Sequence, residues 1–327
     1  MSVEIKIPTI DGLTLKTKDS YVDKDIKLTV GIPYYDGKAI GEYESAPNKL
    51  KQLFDKTIVE VSKEELEGVT EIHPKLFYNC KLLETCELAD SIKTIGKEAF
   101  TNCTSLKEIN IPEGVTTILT YTFRNCTSLE KVTLPTTITT VEADAFELNT
   151  ATREMHISDL EKYISIDFGD AGAIPLYSSE STPRAIYLNG EKLVNVTITK
   201  DIKKYAFIKA DSIETLNVVN GVKTIGRYSC YNMKGLKNVF LPNTLTSVDS
   251  TAFNNNSNME FITLENGFNC AIDLSHSILY SVDTMVAMFN ALATITTTKT
   301  LTLGSTNLNK LTAEQKKIAT DKGWTLA

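Results

Sequence analysis

The sequence predicts a repeat solenoid, a β-rich α+β protein, and three observations carry that reading. An aromatic landmark recurs every 23 residues at Phe77, Phe100, Phe123 and Phe146, and after an interruption Phe207, Cys230 and Phe253 keep the same spacing, which makes seven copies. Apolar residues stand at fixed offsets from each landmark: five before it (Ile72, Ile95, Ile118, Val141, Ile202, Ile225, Val248), six after it (Leu83, Leu106, Leu129, Ile213, Leu236, Met259) and eleven after it. Segments such as LKEINIP (106–112) alternate apolar and polar residues with period two, the signature of a short half-buried strand. Units this small bury their apolar edges only by stacking on their neighbours.

The elements follow in chain order. Residues 1–45 read as a small β module, with GLTLKT (12–17) and DIKLTV (25–30) as hairpin strands around a polar KDSYVDK turn. Residues 46–68 read as a linker and amphipathic helix, with Leu50, Leu53 and Phe54 on one face, that caps the first repeat. Repeats one to four occupy 69–160, an irregular insert 161–198, and repeats five to seven 199–267. The period and the Leu-x-x-Ile-x-Ile/Leu kernel fit a leucine-rich repeat. Pro112, Pro135 and Pro242 end its strand, because proline has no N–H to donate. In the second block Cys230 replaces the landmark Phe, and the Asn-Cys turn becomes Lys209-Ala210 or Asn232-Met233, so looser packing is expected there. Residues 268–327 read as a C-terminal cap. Ser281 N-caps a helix whose Met285, Met288, Phe289 and Leu292 share a face, and the strand TLTLG (300–304) follows. Thr312 and Gln315 then form a capping box, and Gly323 stops that second helix ahead of Trp324.

Composition narrows the function. The 327 residues carry a net charge of −7 with 42% hydrophobic residues, which fits a folded chain with a large core. No Lys/Arg run exceeds a pair, so nothing marks a nucleic-acid or anionic-membrane surface. No apolar run reaches a membrane span, and MSVEIKIPTIDG lacks the basic flank and apolar core of a secretory signal. The expectation is a chain neither exported by that route nor inserted in a membrane.

Catalytic and metal motifs are weak. Cys80, Cys103 and Cys126 share one repeat offset, three after the landmark, and are read as reduced, buried thiols stacked rung on rung, not as disulfides or zinc ligands. No CxxC pair occurs, and His73, His156 and His276 are scattered. Asn79, Asn102, Asn125, Asn232 and Asn255 follow the landmark, where their amides are expected to satisfy backbone groups. The Asn-Cys-Thr glycosylation matches at Asn102 and Asn125 are turn chemistry, and Asp167-Phe168-Gly169 is a kinase tripeptide without the other kinase motifs. Gly-x-Ser-x-Gly is absent. The expectation is a protein with no cofactor and no enzyme activity.

The outward strand positions, eight and ten after each landmark, are the candidate partner-binding surface. In the first block they include Glu108, Asn110, Lys131, Thr133, Glu154 and His156, and in the last repeats Phe240 and Phe261. The two aromatics are expected to be covered by the insert or the C-terminal cap. The competing reading is an exposed surface that anchors a partner protein or stacks on a sugar ring.

The IGxxAFxNCxSLxxIxIP pattern of residues 95–112 resembles the bacterial surface-antigen (BspA-like) type of leucine-rich repeat, over about half of the chain, 69–267 less the interruption. The insert is similar to irregular inserts between repeats of that family. GLTLKTKDSYVDKDIKLTVGIPYYDG (12–37) resembles a module of tail and other virion proteins from phages of Gram-positive bacteria. The closing LTLGSTNLNKLTAEQKKIATDKGWTLA (301–327) is similar to the end of phage-encoded repeat proteins. These resemblances imply a non-enzymatic phage virion protein of the tail or baseplate, made in the host cytoplasm and homo-oligomeric on the particle. Its N-terminal module would contact other virion proteins, and its solenoid a host-surface protein or glycan. The alternative is a bacterial cell-surface adhesin present here as a mature form, against which Met1 argues. A wall hydrolase would need a catalytic constellation that the sequence does not offer.

Overall fold

The computed structural model describes residues 30–35, 38–43, 53, 56–177 and 183–327. From Ile58 to Trp324 the buried apolar side chains form one continuous core. Each regular turn contributes to two parallel ladders. The long ladder runs through Glu108–Asn110, Lys131–Thr133, Glu154–Ile157 and Ala185–Leu188, in the register Glu108↔Lys131↔Glu154↔Ala185. A second long sheet joins Asn195–Ile198, Thr215–Val218, Asn238–Leu241 and Phe261–Leu264. Burial alternates along these strands, Ala185–Leu188 excepted, so every second residue enters the core and the others form one outward face. The short ladder has two parallel parts, Glu71–Ile72 with Thr94–Ile95, and then Thr117–Ile118 with Thr140–Val141 and Asp167–Phe168.

A third row of bonds runs along the landmarks without a regular strand. The Phe77, Phe100 and Phe123 amides donate to carbonyls of Ala99, Thr122 and Ala145 one turn on, at 2.8, 2.8 and 2.9 Å. The chain makes this corner by placing residues two before and two after the landmark at positive φ, as at Tyr121 (61°) and Asn125 (56°). That conformation strains most L residues, and Asn tolerates it best, which explains the Asn row. Inside the corner the rings of Phe77, Phe100, Phe123 and Phe146 stack at centroid separations of 4.9, 5.2 and 5.2 Å. The Ile-Gly of the repeat has an equally direct cause: a Cβ on Gly96 would lie 2.3 Å from the Pro74 nitrogen, and one on Gly226 2.6 Å from that of Lys204. Successive turns approach too closely there for any side chain.

Four expectations have different outcomes, the first falling almost wholly on residues that the structure does not describe. The hairpin placed at 12–30 lies outside the described residues except for Val30. Here an antiparallel pair is found further on, Val30–Tyr35 with Lys38–Tyr43. The helix expected over 46–68 lies partly outside the described residues. From Lys56 onward the chain instead forms the strand Glu60–Val61, paired in parallel with Thr85–Cys86, and a 3-10 turn at Glu64–Leu66. Val59 and Val61 are β-branched and favour an extended chain, and Val61 enters the core while Glu60 points outward, the alternation of a strand.

The insert, third, is less irregular than its sequence. It opens with the helix Leu160–Tyr163, N-capped by Asp159, and its Asp167–Phe168 and Ala185–Leu188 extend both ladders. Gly169 of the Asp-Phe-Gly tripeptide plays the part of Gly96, since its Cβ would sit 2.4 Å from the Ala143 nitrogen. Asn189 and Gly190, at φ 53° and 84°, then turn the chain into Glu191–Lys192, antiparallel to Ala185–Leu188. Fourth, the positions that depart from the pattern in the second block still enter the core: Cys230, Met233 and Phe253 are all buried.

At the C-terminal end Ser281 caps the helix Val282–Ala291 by accepting from the Thr284 amide at 3.0 Å. The helix packs on Phe261–Leu264, the terminal strand of the long sheet. Ile272–Asp273, Lys299–Thr302 and Trp324–Leu326 form a last parallel sheet. The Thr312/Gln315 capping box starts the helix Ala313–Thr320, and Gly323 turns at φ 91° ahead of the buried Trp324. A short helix at Gly304–Leu308 was not anticipated by the sequence reading.

Candidate binding surface

The outward positions of the long strands form two faces with different chemistry. On the first, Glu108 and Lys131 occupy paired positions and their side chains meet at 3.2 Å, both well exposed. Lys107 likewise reaches Glu84 at 2.5 Å. Asn110 and Thr133 are register partners one position further along. Asn110, Lys131, Thr133 and His156 line an open groove of about 620 Å³ whose far side includes Asp90, Lys93 and the Asn189-Gly190 turn. His156 stacks on Tyr187 at 4.6 Å, with its Nε2 3.0 Å from Glu154. Tyr187 belongs to the insert, where no constant spacing assigns it a rung, so sequence reasoning missed this pair.

The second face carries no charge at its outward positions eight and ten after the landmark: Thr215 and Asn217, Asn238 and Phe240, Phe261 and Thr263. Phe240 is 42% exposed and Phe261 53% exposed, so neither the described part of the insert nor the C-terminal helix covers them. That corrects the expectation of burial: the helix Val282–Ala291 packs on the terminal strand Phe261–Leu264 yet leaves that strand's outward side chains exposed. Phe261 pairs with Asn238 and Phe240 with Thr263, so the two rings are diagonal neighbours on adjacent strands, about 7–8 Å apart at the backbone. The six candidate residues therefore do not form one site. Glu108, Asn110, Lys131 and Thr133 lie on one sheet, Phe240 and Phe261 on another.

The six cysteines are buried and unbridged. The Cys103 thiol donates to the Phe77 carbonyl at 3.1 Å and the Cys126 thiol to that of Phe100 at 3.2 Å. Burial pushes Cys80 up to about 11 and Cys126 up to about 12. Cys103 is raised by burial first and then by its neighbours Cys126 and Cys80. Thiols held protonated in this way are poor nucleophiles and poor metal ligands. No cluster of three His, Cys, Asp or Glu side chains suited to a metal occurs among the described residues. No helix among them is long and apolar enough to cross a membrane.

The Asn row works differently from the expectation. The Asn102 amide donates to the Asn79 side-chain oxygen and Asn125 to that of Asn102, both at 2.7 Å, so these amides bond to one another and not to backbone. Backbone groups are met by two buried asparagines that the spacing did not single out, at the cysteine offset. Asn149 accepts from the Cys126 amide at 2.8 Å. Asn256 accepts from Met233 at 2.8 Å and donates to the carbonyls of Cys230 and Phe253 at 2.7 and 3.0 Å.

Stacked turns of this period, with parallel strands on an outward face and a leucine-type core, define a leucine-rich repeat protein. The model of the BspA type leucine rich repeat region matches six copies, over residues 65–168 and 186–320, against the seven landmarks counted by spacing. The chain belongs to that family. Among solved structures it is similar to a leucine-rich repeat protein from Bacteroides ovatus (20% identity, 78% of this chain, 64% of that one, TM-score 0.44). It is also similar to one from Eubacterium ventriosum (17%, 78% and 71%, TM-score 0.40) and to a leucine rich cell surface protein from Faecalibacterium prausnitzii (18%, 76% and 71%, TM-score 0.36). The chain thus spans 64% of the length of the Bacteroides protein. No curated protein matches it in sequence.

Proposed function

We propose that this chain is a non-enzymatic recognition protein that presents the outward strand faces of its repeats to a partner on a cell surface. The observation that carries this reading is the pair of solvent-exposed rings of Phe240 and Phe261 on neighbouring strands of a rigid sheet. Exposed apolar side chains grouped on a fixed scaffold are typical of surfaces that bind. In the same reading the chain rides on a phage particle, in the tail or baseplate, as a homo-oligomer attached to other virion proteins through its N-terminal module. The support for that placement is the resemblance of residues 12–37 and 301–327 to virion proteins. A bacterial cell-surface adhesin fits the family equally well and is the second reading.

Fractionation of the native source, with mass spectrometry of each fraction, tests both. Co-sedimentation with phage particles is the expected result and would make host receptors the next target. Recovery with the bacterial envelope, and not with particles, would establish the adhesin. Recovery only in the soluble cell contents would overturn recognition at a surface altogether.

A further inference from the structure

We infer that the second face binds an uncharged glycan, with Phe240 and Phe261 as stacking platforms and the neighbouring amides and hydroxyls as hydrogen-bonding partners. The inference rests on the recognition reading above and names its ligand class.

Three features of the face select this chemistry. The first is the aromatic pair: two exposed rings on adjacent strands, fixed by the backbone register, offer flat apolar surfaces to the C–H faces of sugar rings. Aromatic side chains lose little entropy on binding, since they have few rotatable bonds. The second is the polar lattice beside the rings. Asn238 reaches Thr215 only through a long contact of 3.5 Å, and Asn217 and Thr263 make no side-chain hydrogen bond among the described residues. These groups supply both donors and acceptors, which is what a polyhydroxylated ligand requires on each of its hydroxyls.

The third feature is the absence of charge. Of the charges adjoining the six outward positions, Lys237 and Glu214 close on each other at 3.0 Å, and the exposed Glu260 stands in the same row, one residue before Phe261. A face built to hold a protein segment or an acidic polymer gains from unpaired charge, which steers and orients the partner. This one offers none at its centre, so the complementary partner is neutral. The first face, with Glu108, Lys131, Glu154 and His156, has the opposite, charged character.

The test is native affinity electrophoresis of the full chain in gels containing laminarin, galactomannan or dextran, with polygalacturonate and heparin as anionic counterparts. The expected result is retardation by at least one neutral polymer and by neither anionic one. The double variant Phe240→Ala with Phe261→Ala should weaken that retardation about tenfold or more, while Leu82→Ala, which removes an exposed apolar side chain away from both strand faces, leaves it unchanged. Both rings are exposed, so the double variant should keep the parent's thermal midpoint, which is measured alongside. Mobility unaffected by every neutral polymer, or retardation that survives loss of both rings, would overturn the inference.

Binding of the labelled chain to whole bacteria separates this inference from the reading beneath it. Binding that survives protease and is lost on periodate oxidation supports the glycan. Binding lost to protease and resistant to periodate identifies a protein partner and overturns the glycan, with recognition intact. Absence of binding to any cell tested removes recognition and the glycan together.

Discussion

The two blocks of repeats solve the same packing problem with different residues. In the first, the landmark is always Phe, the rings stack in register, and Cys80, Cys103 and Cys126 stand three residues later. In the second, Phe207, Cys230 and Phe253 are followed at that offset by Ala210, Met233 and Asn256, all buried. Where the landmark shrinks to Cys230, the later position grows to Met233, so the turn conserves volume although neither residue fits the pattern. The repeat constrains summed volume and backbone satisfaction, and identity only where both demands fall on one residue. The outward faces diverge further, one carrying paired charges and the other neutral amides, hydroxyls and aromatic rings.

The largest expected effect breaks or sustains this contrast directly. Phe123→Ala should cost about 3–5 kcal/mol in chemical denaturation, because it empties a core position between two turns. It also removes two stacked contacts, to Phe100 and Phe146, each at 5.2 Å. Phe253 is as deeply buried but makes no ring contact among the described residues, so Phe253→Ala should cost about 1–3 kcal/mol less. Equal losses would show that ring stacking adds nothing to burial, and the regularity of the first block would then be no source of stability.

Much of this architecture was legible in the sequence because a solenoid repeats its constraints. The period, the inward positions, the strand at 108–110, the Ser281 cap and the Thr312/Gln315 capping box follow from local spacing and turn chemistry. What escaped the sequence reading lies where the spacing lapses. Glu60 pairs with Thr85, a step of 25 residues where the repeat has 23, so the turn before Val69 looked like a helix. The insert returns to both ladders after segments of unequal length, which no periodic template detects. The exposed state of Phe240 and Phe261 was equally hidden, because it depends on where the C-terminal helix docks and not on the strand that bears the rings.

A smaller effect separates the blocks by pH. The folded chain holds the buried thiols protonated above their ordinary value of 9.0: Cys126 to about 12, with Cys103 also raised, and Cys230 to about 12 in the second block. Below pH 9 both folded and unfolded chains keep these protons, and the contribution to stability is intact. Above it the unfolded chain releases protons that the folded chain retains, so stability falls as pH climbs from 9 toward 12. Each such thiol should steepen that fall by about 1.4 kcal/mol per pH unit. Cys103→Ala with Cys126→Ala should therefore flatten the alkaline limb of a denaturation series twice as much as Cys230→Ala does. An alkaline slope unchanged by all three substitutions would mean that the thiols are not held protonated by burial.

The smallest effect is expected on the first face, where the charged ladder is most conspicuous. Glu108 and Lys131 meet at 3.2 Å, yet their side chains are 62% and 40% exposed, so water and salt screen the attraction. A double-mutant cycle with Glu108→Gln and Lys131→Met should return a coupling of about 0–1 kcal/mol that fades as salt is added. Thr133→Ala, beside them and half exposed, should change stability by no more than about 0.5 kcal/mol. A coupling well above that range would mean that the pair is desolvated, and the first face would then be a packed structural element. The expected near-zero value instead leaves its charges free to be exchanged for contacts with a partner, as the charges of a rim are, while the inward Ile109 and Val132 of the same strands hold the turn in place.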